Sequence, residues 1–157
     1  MKTHNIKIPI LLWQRLIRQL YKRGHKERES GAFLLGKRVD NKIRRFVCYD
    51  DLDPSSLEKG YINFSGEGYV PLWDYCNANN LSVLADVHTH PGGWTGQSDL
   101  DKSHPMIAQI GHIALILPKF ATNKFQLLKG IGIHEYLGEN KWQTWPYHSR
   151  KIRLVLR

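Results

Sequence analysis

The chain has 157 residues, is 41% hydrophobic, and carries 23 Lys and Arg against 14 Asp and Glu, a formal net charge of +9. This length and balance exclude a disordered segment and predict one globular domain over residues 1–157, large enough to bury roughly two thirds of its unfolded surface. The longest near-continuous apolar run, Ile8 to Trp13, is far short of the ~18 residues that a membrane span needs and lacks the features of a secretory signal.

The two cysteines, Cys48 and Cys76, are too few for a disulfide framework or a Cys-built zinc site and read as core residues. Together these features predict a soluble cytoplasmic protein with no membrane partner. The charge is uneven: residues 1–45 hold 13 Lys and Arg against 3 Asp and Glu, the rest 10 against 11. A basic face there suits an acidic partner, nucleic acid or simple solvation.

In chain order, residues 9–23 read as an amphipathic helix. Leu12, Leu16 and Leu20 form one i, i+4 row, Trp13, Ile17 and Tyr21 the next, and Arg15, Arg18 and Lys22 lie opposite. Pro9 suits its first turn and Gly24 its end. Gly31 to Gly36 (GAFLLG) predicts a buried strand, with Ile43 to Tyr49 as its hairpin partner across Val39-Asp40-Asn41. Residues 50–60 read as a loop. Residues 66–79 predict a helix capped by Ser65, with Tyr69, Leu72, Trp73 and Cys76 on its apolar face. Leu81 to His90 is a strand stopped by Pro91, followed by a Gly-rich loop to Gln97 and a short helix over 99–108. Ile110 to Leu117 is a further strand. Gly130 to Tyr136 and Lys141 to Trp145 form a hairpin, and Ile152, Leu154 and Leu156 alternate in a last strand. Trp73, Trp142 and Trp145 read as core. The fold class is α/β: a mixed β-sheet sandwiched by helices.

The chemistry concentrates at His88-Thr89-His90-Pro91. Side chains alternate along a strand, so His88 and His90 share a face, as do Leu84 and Asp86. Two imidazoles there make half of a metal site, with Asp86 as a local rival for third ligand. Ser98-Asp99-Leu100-Asp101 follows and reads by itself as a capping box at a helix start. His4, His25, His104, His112, His134 and His148 lack partners at ligand spacing and read as solvated or internally satisfied.

The joint pattern His88-x-His90-Pro91, seven residues, Ser98, two residues, Asp101, preceded by Glu29 before a small-residue, leucine-rich strand, resembles the JAMM (MPN+) family of zinc isopeptidases. The resemblance runs from the first helix to about residue 137 and departs from the family at Ala32, where a glycine often stands. It implies the cytidine-deaminase-like JAMM architecture. It implies one Zn2+ per chain on His88, His90 and Asp101, with water in the fourth position. Glu29 is then general acid–base, with Glu27 its rival, and Ser98 stabilises the oxyanion. Trp94, in the Gly-rich loop, is the candidate substrate contact.

The compact chain is similar to the prokaryotic branch that removes or trims ubiquitin-like modifiers after a C-terminal glycine. That implies as partners a ubiquitin-like protein or its conjugate, and E1-like and E2-like enzymes of the same operon in bacterial antiviral defence. A RadC-type JAMM protein acting with DNA is the alternative; the helical region such proteins carry before the domain is missing, which disfavours nucleic acid. A non-catalytic MPN− scaffold is disfavoured because all five site residues are retained, and a zinc hydrolase of small amides is a further class.

Overall fold

A computed structural model describes residues 5–157. Its eight strands form one mixed sheet in the order β7-β6-β5-β4-β2-β3-β1-β8. The chain opens with β1 (Ile6–Pro9), which the sequence reading missed because four residues of Ile-Lys-Ile-Pro carry too little alternation to stand out. β1 lies parallel between β3 and β8 and so ties the two ends of the chain into one sheet.

Helix α1 (Ile10–Gly24) follows at once. Leu12, Trp13, Leu16, Ile17 and Leu20 are buried on one sheet face, each contributing about 1.5–3 kcal/mol of apolar burial. The helix stops at a left-handed His25. Next come the hairpin β2 (Gly31–Lys37) and β3 (Lys42–Cys48). Tyr49 does not extend β3 but starts a four-residue helix α2 (Tyr49–Leu52), so the stretch read as loop begins with a helical turn. A 3-10 turn at Gly66–Gly68, capped by Ser65, leads into α3 (Tyr69–Asn79).

The two sheet faces have separate cores. Ala32 and Leu34 of β2 and Ala85 and Val87 of β4 (Ser82–Thr89) pack under α1. Phe33, Leu35 and Val83 pack with Tyr49, Leu72 and Cys76 on the α3 side. Trp73 is not core: it is 44% exposed and stacks on Tyr69. Trp142 and Trp145 are half-buried, and Leu156 lies outside the last strand, exposed.

β4 runs antiparallel to β2 and parallel to β5 (Ile113–Leu117). Parallel neighbours need a crossover of a dozen or more residues. Here it holds Pro91, Trp94, Ser98 and the short α4 (Asp99–Ser103), which ends at Ser103 rather than 108 because His104 leaves helical geometry. β5 likewise starts at Ile113, not Ile110, so His112 precedes the strand rather than sitting in it. The sheet ends with β6 (Gly132–Gly138), β7 (Lys141–Thr144) and, at the opposite edge, β8 (Ile152–Val155). Among the described residues no helix is long and apolar enough to cross a membrane. His4 lies outside the described residues.

Candidate metal centre

The site lies where β4 ends and its crossover begins. His88 is the last but one residue of β4, and His90 follows the strand. The His90 backbone is held on both sides: its N–H donates to Leu117 O (2.9 Å) and its carbonyl accepts from Phe120 N (2.8 Å). Lys119, Phe120 and Ala121 all have φ between 53° and 57°. Three consecutive non-glycine residues in the left-handed region cost roughly 1–2 kcal/mol each. The turn they make delivers amides to the carbonyls of His90 and Gly92. No local signal in the sequence marked it.

Asp101 arrives from α4 through a complete capping box. Ser98 Oγ accepts from Asp101 N (3.1 Å), and Ser98 N donates to Asp101 Oδ2 (3.0 Å). The capping box and the ligand reading of Asp101 thus describe the same geometry. His90 Nε2 stands 3.1 Å from both His88 Nε2 and Asp101 Oδ2, and His88 Nε2 is 3.4 Å from Asp101 Oδ1.

His88, His90 and Asp101 are the group of residues, among those described, that can hold a metal ion. Their fit to one is testable on spacing. At metal–ligand distances of about 2.0–2.1 Å, tetrahedral ligands stand roughly 3.3–3.4 Å apart, close to the observed edges. The tautomer agrees, because His90 Nδ1 lies 3.1 Å from Trp94 O and donates to it, which leaves Nε2 with its lone pair facing inward.

The electrostatics point the same way. Burial works against the charge of Asp101, yet the adjoining His88 and His90 and the Ser98 amide hold its carboxyl well below the usual range. Burial likewise works against protonated His88, but Asp101 outweighs it and raises the pKa. The cluster attracts positive charge, whether a proton or a metal ion.

Glu29 precedes β2 and is brought to the site by a clip between chain segments. Ser30 N donates to Thr89 Oγ1 (3.0 Å), Thr89 N to Ser30 O (2.9 Å), and Ser30 Oγ to Leu20 O (2.7 Å). Gly31 is paired with His88 and has to be glycine: a Cβ there would stand 2.3 Å from the Tyr49 ring and 2.7 Å from Val87 O. Glu29, His88, Ser98 and Asp101 all line one cleft of about 590 Å3. Burial raises the Glu29 pKa, against the opposing pull of His88 and His90. Glu27 is exposed in the turn after α1 and does not line the cleft, because β2 begins only at Gly31.

Trp94 is 63% exposed and lines a second groove, of about 380 Å3, rather than the main cleft. Its ring stacks on His90, with centroids 5.6 Å apart, and packs on Gly96, where a Cβ would stand 2.6 Å from it. Asp86, the rival ligand, turns instead to His112, whose Nε2 lies 2.7 Å from Asp86 Oδ2. His134 bonds Thr95 O and Thr144 Oγ1 and docks the Gly-rich loop on β6; burial lowers its pKa. Residues 61–64, unflagged in the sequence, supply one wall of the cleft.

No family model matches the chain. It is similar to protein DSY2949 from Desulfitobacterium hafniense, known from a solution structure. The TM-score is 0.65 over 97% of this chain and 94% of that one, at 14% identity. That likeness shows a shared mixed α/β fold.

Proposed function

We propose that this chain is a zinc-dependent isopeptidase of the JAMM type, with the cytidine-deaminase-like architecture of that family, which cleaves a ubiquitin-like modifier after its C-terminal glycine. The observation that carries the reading is the convergence of His88, His90 and Asp101 at tetrahedral spacing, with His88 and Asp101 lining a cleft that also holds Glu29 and Ser98. His88, His90 and Asp101 would hold one Zn2+. Bound zinc would supply a water acidified to a pKa near 7 and polarise the scissile carbonyl.

The chain's own groups account for the remaining work. Glu29, in the same cleft, takes a proton from the attacking water and returns it to the leaving amine as the C–N bond breaks. Burial raises its pKa above the ordinary carboxylate value, which makes it the stronger base. Ser98 Oγ accepts from the Asp101 amide, so its own proton is free to donate to the oxyanion. An extended modifier tail would add as a strand beside the metal, with the Pro91-Gly92-Gly93-Trp94 approach admitting only small residues next to the scissile carbonyl. The exposed Arg15, Arg18 and Lys22 would steer an acidic modifier or target. This reading implies a cytoplasmic setting with E1-like and E2-like partners.

The test is a panel of a ubiquitin-like fusion, an unrelated peptide amide and labelled DNA, each with wild type and His90→Ala. We expect chelator-sensitive cleavage of the fusion alone, lost in the variant. Zinc-dependent action confined to DNA would overturn the isopeptidase reading in favour of a RadC-like one, and equal cleavage of unrelated amides would overturn tail recognition.

A further inference from the structure

The metal cleft and the groove of Trp94 share two lining residues, Gln97 and Trp142, which form the crossing between them. The crossing is firmly placed. His134 Nε2 donates to Thr95 O at 2.9 Å, and a Cβ on Gly132 would collide with that same carbonyl, so the Gly-rich loop lies directly on β6. One residue past Gln97, Ser98 opens the capping box that carries Asp101. Gln97 is thereby fixed between the docked loop and α4.

The two residues present different chemistry. Trp142 Nε1 donates to Lys102 O at 3.1 Å, so that side chain offers its ring. Gln97 is only 8% exposed, and its carboxamide makes no hydrogen bond among the described residues. Neither amide atom is sealed off from the two cavities. Folded proteins satisfy the great majority of their buried polar side chains, because an unmet one is costly. A carboxamide carries donors and an acceptor side by side and no charge. Both residues of the crossing are neutral, so nothing there selects a charged group. The group that matches a carboxamide on both counts is another amide. In an extended chain the N–H and C=O of one residue point to the same side, as they do when a strand pairs with its neighbour. One carboxamide can therefore engage both. Beyond the crossing, Trp94, Trp145, Ile131 and Ile133 line the groove for an apolar side chain further along such a chain.

We propose that the Gln97 carboxamide is a backbone clamp for the substrate's extended tail, accepting from the N–H and donating to the C=O of one tail residue as the tail crosses from the Trp94 groove to the metal cleft. The proposal rests on the reading that the cleft receives such a tail, and it assigns a binding residue outside the metal and acid–base set.

The experiment titrates acetyl-Leu-Ala-Gly-Gly amide, and versions of it N-methylated at one backbone nitrogen at a time, into the full chain, followed by NMR. The parent peptide should shift the Gln97 side-chain NH2 signals. One methylated peptide should bind wild type about tenfold more weakly than the parent does, and should bind Gln97→Met as well as the parent does, because the variant has no amide to lose. Gln97→Met should keep a native melting temperature, since the carboxamide makes no internal bond. No binding of the parent peptide, or the same methylation penalties in wild type and Gln97→Met, overturns the proposal. If Gln97→Met fails to fold, wild type decides, and Gln97 NH2 signals that stay in place at saturation with the parent peptide overturn it. Binding is read without turnover. A chain that binds through Gln97 but leaves a ubiquitin-like fusion uncut keeps the clamp and loses the isopeptidase reading, and one that cuts the fusion without coupling to Gln97 loses the clamp alone.

Discussion

Thr89→Val tests whether the clip between Ser30 and Thr89 is what sets Glu29 against the histidines. The substitution keeps shape and branching but removes the acceptor of the Ser30 N–H, which is 3.0 Å from Thr89 Oγ1 with both residues fully buried. A buried amide left without a partner costs about 1–3 kcal/mol. For a chain of this size that is roughly 2–12 °C in melting temperature, at about 2–4 °C per kcal/mol. The backbone bond from Thr89 N to Ser30 O is unaffected, so the strand pairing and the histidines should hold. The expected outcome is therefore a lower melting temperature, metal affinity near wild type and a lowered kcat, because Glu29 loses its fixed distance while the ligands keep theirs. Thr89→Ser, which retains the hydroxyl, should recover most of both losses. Melting curves, metal titration and turnover on the ubiquitin-like fusion read the three quantities. A Thr89→Val protein as stable as wild type would refute the energetic argument, and one that loses metal along with turnover would refute the separation of clip from ligands.

Metal analysis of the purified chain should give about one equivalent of zinc, strongly reduced in His88→Ala and retained in Asp86→Asn, since Asp86 is committed to His112; the reverse result for Asp86→Asn and Asp101→Asn would reassign the third ligand. Glu29→Gln should lose about 10²–10⁴-fold in turnover while binding zinc. The same variant carries a stability signature in the metal-free chain. The folded Glu29 pKa is raised by burial, so the folded state binds the proton more tightly than the unfolded one. Stability then falls as pH rises from the unfolded value of 4.5 through the folded pKa. Glu29→Gln should be the more stable protein above that window and no different below it, and denaturant midpoints at pH 4 and pH 7.5 check the sign.

What the sequence determined by itself is local and periodic. The i, i+4 rows of α1 marked the face that is buried, because helical spacing alone decides which side chains can meet one partner. The apolar run from Gly31 and the alternation through His88 placed β2 and β4, and strand geometry put His88 and His90 on one face without reference to the rest of the chain. The Ser98 and Asp101 spacing fixed the capping box, and with it the direction in which Asp101 points.

Tertiary structure decided everything that depends on segments far apart in the chain meeting. β1 is a strand only because β3 and β8 offer it two edges, and α4 is short because its crossover must turn back to reach β5. Asp86 shares the histidines' face, yet His112, 26 residues on, claims it. Glu29 and Glu27 could be separated only by where β2 starts and by the clip to Thr89. Trp73 has helical core spacing but faces solvent, because the sheet beneath α3 is already covered by Leu72 and Cys76. Tyr49 reaches the cleft of His88 and Asp101 because Gly31, eighteen positions earlier, has no side chain to keep it out. Periodicity reports which face of an element is apolar, and only packing reports what that face meets.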